Sequence, residues 1–251
     1  MTFQCASVVS VGREEVAIAV SRGLLGSHLG IVYTSKDEQK LLHLAFHKLL
    51  LNDDFPPPPG TWAVKVIELP TIASSQLVAL LIAIAPNKSG VPYGINFIAG
   101  MGAIDADGEY APQPGSDGYT CSSFIAELLR MIGFPLIRLD SLTSNEANVL
   151  WGNAVVCLLK AFGASAEHVT LVERNNAGRR LRPEEVAAAC ELPVSQRPTT
   201  QLMIKDRAPV LLQEVFAICP PIPAAPPNFQ LCVDAYAKGM AELASSSGSG
   251  D

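Results

Sequence analysis

Residues 116–134 read SDGYTCSSFIAELLRMIGF. Cys121, Phe124, Ile125, Leu128, Leu129 and Ile132 recur at i, i+3, i+4, i+7, i+8 and i+11, one face of an α-helix. The spacing predicts a helix over 120–132, with Thr120 as its N-cap and Gly133 closing it. A stripe this apolar has to be buried against another layer, so the chain must supply a sheet or helix pair to cover it. Cys121 opens that stripe. There the helix dipole and the unbonded backbone N–H groups favour a thiolate and suit a developing oxyanion. Cysteine is also a small apolar residue at home in a core, so its role depends on a partner.

The candidate partners are histidines. Of four in the chain, His28, His43 and His47 fall in the first fifth. SHLGIVYTS and the first half of LLHLAFHKLLL read as strands joined by a turn at KDEQK. Alternation places His28 with Gly30 and Val32, and His43 with Ala45 and His47. A turn centred between Ser35 and Lys36 sets His28 opposite His43. One centred between Asp37 and Glu38 sets it opposite His47, and a turn centred on a residue splits the rings across the sheet. A cysteine brought beside such a cluster has the makings of a nucleophile, a base and an orienter of that base. Each histidine is equally at home as an ordinary polar residue at a strand edge. A three-nitrogen metal site from His28, His43 and His47 is disfavoured by its loose spacing and the lack of a placed carboxylate; no metal and no cofactor is expected.

Elsewhere, 13–25 reads as a short helix and NDDFPPPPGT as a rigid loop. WAVKVIELP reads as a strand, IASSQLVALLIAIAPN as a helix, and GVPYGINFIAG as a short strand. A long loop covers DADGEYAPQPGSDG. SNEANVLWGNAVVCLLKAFG is a helix capped by Ser144 or Asn145, and HVTLVERN reads as a strand. RPEEVAAACEL is a short helix with Pro183 at its first position, and APVLLQEVF is another. CPPIPAAPPN is an extended linker and FQLCVDAYAKGMAELA a final helix. The division is a compact α+β unit over 1–163, a C-terminal lobe or extension over 164–244 and a disordered tail over 245–251. Trp62 and Trp151 read as core aromatics and Cys157 as buried packing. Arg179, Arg180 and Arg182 are able to hold an anion, but such a cluster usually marks a solvated loop. Asp105, Asp107 and Glu109 match a calcium loop poorly, for the downstream glutamate is missing.

A net charge of −6 argues against nucleic acid as the partner. The most apolar stretch, 76–86, is too short to span a bilayer, which takes about 20 residues, and the N-terminus lacks the basic start of a signal peptide. Six cysteines without a CxxC pair fit reduced thiols. Together these imply a cytoplasmic protein without an integral membrane segment.

SHLGIVY, then LLHLAFH, then after a long interval GYTCSSFIAELL resemble, in that order, the circularly permuted papain-like enzymes. That group includes permuted NlpC/P60-type hydrolases and lecithin–retinol acyltransferase-like proteins. The resemblance covers about residues 25–135 and implies an α+β fold, an antiparallel sheet packed on the helix bearing the cysteine. It implies Cys121 as nucleophile, His28 as general base, His43 as its orienter with His47 as fallback, and the Cys121 N–H with its preceding loop as oxyanion hole. The activity implied is a cysteine hydrolase of amidase or peptidase type acting on a peptide, amide or acyl substrate. An acyltransferase of the same fold and an inactive binding scaffold are the alternatives. YTCSSF is closer to the bacterial hydrolase-like members than to the acyltransferases.

Overall fold

Six strands form one open antiparallel sheet in the order β1-β6-β2-β3-β4-β5. They are β1 (Gln4–Cys5), β2 (Val16–Gly23), β3 (Gly26–Ser35), β4 (Glu38–Phe46), β5 (Leu49–Asp54) and β6 (Ala63–Val66). The computed structural model describes residues 2–58, 60–87, 90–96, 104–105, 107–220 and 225–247. Eight α-helices occur among them: α1 (Thr71–Ile84), α2 (Cys121–Met131), α3 (Glu146–Phe162), α4 (Ala166–Arg174), α5 (Pro183–Glu191), α6 (Gln201–Ile204), α7 (Arg207–Ile218) and α8 (Pro227–Ser247). The fold is thus α+β, as the sequence implied.

Three local expectations are overturned: of GVPYGINFIAG, residues 90–96 form no strand, only an isolated bridge between Tyr93 and Tyr119. Residues 16–23 form strand β2, not a helix. Val16 to Val20 are all buried, alternately in the two apolar layers on either side of the sheet. A strand covered on both faces loses the polar alternation that would have identified it. HVTLVERN is helical through Arg174 of α4, with Asn175 as its C-cap. The Ser165 side chain accepts from the His168 N–H at 3.3 Å, a cap that competes successfully with the β-branched residues' strand preference.

The larger layer packs Ile18, Leu29, Ile31 and Leu42 under Leu77 of α1 and Phe124, Ile125 and Leu128 of α2. Val169, Val172, Val186, Leu211 and Val215 join the same cluster. Residues after 163 therefore complete the core of the sheet rather than burying a core of their own. The proline segment's residues 221–224, the residues 97–100 of GVPYGINFIAG and the tail beyond 247 lie outside the described residues; α8 itself runs on through Ser247.

Cysteine usage also departs from expectation. Cys157 of α3 and Cys232 of α8 form a disulfide, so Cys157 is not simple packing and the cysteines are not all reduced. Cys5, Cys121, Cys190 and Cys219 are free thiols. No helix among the described residues is long and apolar enough to cross a membrane.

Candidate active site

The β3–β4 hairpin turns on Lys36 and Asp37, with φ of 50° and 70°, the left-handed pair that a two-residue hairpin turn demands. Ser35 pairs with Glu38 and the ladder ends at Ile31↔Leu42. This register lies between the two considered from sequence. Continued, it sets His43 opposite Gly30 and keeps His28 on the same face. A Cβ on Gly30 would lie 2.8 Å from Leu41 Cδ1 and 3.2 Å from the His43 Cβ, so glycine is what lets His43 lean across to His28.

His28 Nε2 meets His43 Nδ1 at 2.8 Å, and His43 Nε2 meets Asp53 Oδ2 at 3.1 Å. The carboxylate can only accept, so His43 donates from Nε2. His43 Nδ1 is then an acceptor, and His28 donates to it from Nε2. The chain of bonds leaves His28 Nδ1 as the unprotonated nitrogen. Trp62 lies against both rings, with centroids at 5.5 and 5.3 Å, and fixes their planes. His47 does not take part. Its Nδ1 accepts from the Tyr93 N–H at 3.4 Å, while His168 Nε2 donates to the Tyr93 carbonyl at 2.9 Å.

Cys121 is the first residue of α2. Thr120 caps it, its side chain accepting from the Ser123 N–H at 3.1 Å, and Ser123 Oγ in return accepts from the Thr120 N–H at 2.8 Å. The reciprocal box fixes the angle at which Cys121 enters the helix. Its sulfur lies 3.8 Å from Ser122 Oγ. It also faces the Leu29 N–H, the peptide directly after His28, and the Tyr93 hydroxyl. The sulfur thus reaches β3 beyond the end of the β3–β4 ladder, on the peptide that carries the proposed base. Sulfur and imidazole are not hydrogen-bonded to one another: His28 and His43 lie on the Trp62 face of the sheet, whereas Cys121 packs with Leu29 on the α2 face.

Tyr93 escaped the sequence reading. Its segment runs beside residues 117–119, with the Tyr119 N–H donating to Pro92 O at 3.0 Å and the Gly94 N–H to Tyr119 O at 3.1 Å. Gly118, at φ 107°, has its Cβ position 2.1 Å from the Pro92 carbonyl, and no other residue fits. This pairing delivers the Tyr93 hydroxyl to the sulfur and backbone N–H of Cys121. The available signal was the glycine on either side of the tyrosines.

Cys121, His28, His43, Tyr93 and Arg180 line one cavity of about 540 Å³, within the usual range for small-molecule sites. Its wall is mainly apolar, with Phe46, Leu49, Val155, Leu158, Phe162 and Phe229. Burial raises the Cys121 pKa above the ordinary thiol value, more than the Leu29 N–H, Ser122 and the Arg180 charge lower it. The expectation of a resting thiolate is therefore overturned: desolvation outweighs the helix terminus. His28, open to the cavity but packed round by protein, is pulled down by desolvation to about 4. Burial and the facing His28 also lower His43, against the pull of Asp53. At neutral pH the cavity is lined by a neutral thiol and a neutral imidazole.

Among the described residues no group of three His, Cys, Asp or Glu is placed to hold a metal ion. Asp105 Oδ1 instead accepts from the Asp107 and Glu109 N–H groups at 3.0 and 2.9 Å. Compared with protein-family models, curated proteins and solved structures, the chain matches none.

Proposed function

We propose that this protein is a cysteine hydrolase of permuted papain-like architecture, cleaving an amide or related acyl bond in the cavity at the tip of α2. The observation that carries the reading is that Cys121 and the hydrogen-bonded pair His28–His43, with Asp53 behind it, line one cavity from separate elements. Because thiol and imidazole are both neutral at rest, the mechanism is general-base attack rather than attack by a preformed thiolate. His28 Nδ1 takes the thiol proton through one water across the shared cavity as the sulfur adds to the carbonyl carbon. The Cys121 N–H and the Tyr93 hydroxyl face the developing oxyanion. The proton then passes to the leaving group, and water hydrolyses the thioester.

A p-nitrophenyl acyl ester tests this. The expected result is a burst of p-nitrophenol, with the acyl group found on Cys121 by mass spectrometry. Cys121→Ala should abolish the burst and His28→Ala should slow it by about 10²-fold or more. Acylation of Cys190, or turnover that survives Cys121→Ala, would sink the proposal.

A further inference from the structure

Among the described residues of the cavity wall, Arg180 is the one cationic group whose charge is not taken up by hydrogen bonds. Its guanidinium lies 3.8 Å over the Trp151 ring, and among the described residues it makes no hydrogen bond and no ion pair. Arg22, the other arginine of the wall, donates to Cys219 O at 2.7 Å and to Phe216 O at 2.9 Å. Glu184 is the countercharge of Arg180, acting through its field rather than through an ion pair, with Oε2 accepting from Ser27 Oγ at 2.6 Å. Arg180 is half-buried, and burial depresses its pKa against the pull of Glu184. Such a charge in an apolar cavity is costly unless an anion joins it. Arg180 lines the same cavity as Cys121 and Tyr93, so an anion on it shares the space of the reacting carbonyl.

We infer that Arg180 anchors the substrate's carboxylate, and that the cavity takes an N-acyl amino acid: a single apolar chain along Phe46, Leu49, Phe162 and Phe229, with the α-carboxylate on the guanidinium. The inference rests on the hydrolase reading and specifies its substrate. One guanidinium matches one carboxylate in charge and in fork geometry. A phosphate dianion would call for a second free cation, and Arg22 is committed to carbonyls. In an N-acyl amino acid the carboxylate is only two bonds from the amide nitrogen, which suits an anchor acting at the reacting centre. In the reaction the sulfur bonds to the acyl carbon and the C–N bond breaks. The thiol proton reaches the departing amino nitrogen through His28 Nδ1. Water then gives its hydroxyl to the acyl carbon and a proton back to the sulfur, releasing a fatty acid.

Binding to the Cys121→Ala protein tests the anchor without turnover, by calorimetry and by Trp151 fluorescence. The probes are N-dodecanoylglycine, its uncharged glycinamide and dodecyl phosphate. The carboxylate should bind roughly 10- to 100-fold tighter than the glycinamide. Arg180→Met should erase that preference while leaving glycinamide affinity unchanged, and Arg180→Lys should keep part of it. Equal affinity for acid and amide in the Cys121→Ala protein overturns the inference, whatever the Arg180 variants do. So does a preference that survives Arg180→Met in a folded protein, or tighter binding of dodecyl phosphate, which would place a phosphate there instead. Discrimination without any hydrolysis by the native chain would remove the hydrolase reading and leave the anion site standing.

Discussion

In the proposed mechanism His28 serves as a base only while Nδ1 is free, and burial keeps it free far below neutrality. The rising limb of the pH–rate profile should therefore lie near pH 4 rather than near 6.5, measured as kcat/KM. The same depression bears on stability. Folded His28 titrates at about 4 against roughly 6.5 in an unfolded chain. Above pH 6.5 neither state is protonated and the group adds no pH dependence. Below it the unfolded chain binds the proton first, so stability falls, by about 2 kcal/mol at pH 5. Urea midpoints at pH 7.5 and pH 5 should show the drop, and His28→Gln should shrink it. In the proposed reaction Tyr93 stands on the oxyanion side. Tyr93→Phe keeps the ring and removes the hydroxyl at the Cys121 sulfur and N–H, and should lower kcat by about 10²-fold with little change in melting temperature.

At the scale of elements, the site depends on how a hairpin and a helix tip meet. α2 was legible in full: ladder, Thr120 cap and cysteine position all lie within a few neighbouring residues. So was the β3–β4 hairpin, because alternating apolar residues flank a polar turn. Its register was not, since residues 35–38 allow several turns and only the left-handed pair at Lys36 and Asp37 selects one. Gly30 shows what that register requires. Gly30→Ala would push a methyl against Leu41 and His43 and should cost about 1–3 kcal/mol. It should also weaken the His28–His43 contact, seen as a changed imidazole NMR titration and a lower kcat.

Across the whole molecule, the chain after residue 163 finishes both the core and the cavity. α5 and α7 pack on the sheet, and α8 places Phe229 at the cavity, held to α3 by Cys157–Cys232. The bridge spans 75 residues, so its loss should cost about 2–4 kcal/mol. Denaturation with and without reductant, and of Cys157→Ala/Cys232→Ala, would measure this, and the chain-length selectivity of acyl substrates should loosen with it. Sequence periodicity alone determined the cysteine helix, the hairpin and the α+β class, because those patterns arise from near neighbours and the solvent. Only tertiary structure decided that Asp53 steers His43, that His47 leaves for Tyr93, that Arg180 turns inward onto Trp151 and that Cys157 pairs with Cys232. Each of these joins groups brought together by packing, and desolvation in that packing, not the helix terminus, fixed the protonation of the thiol.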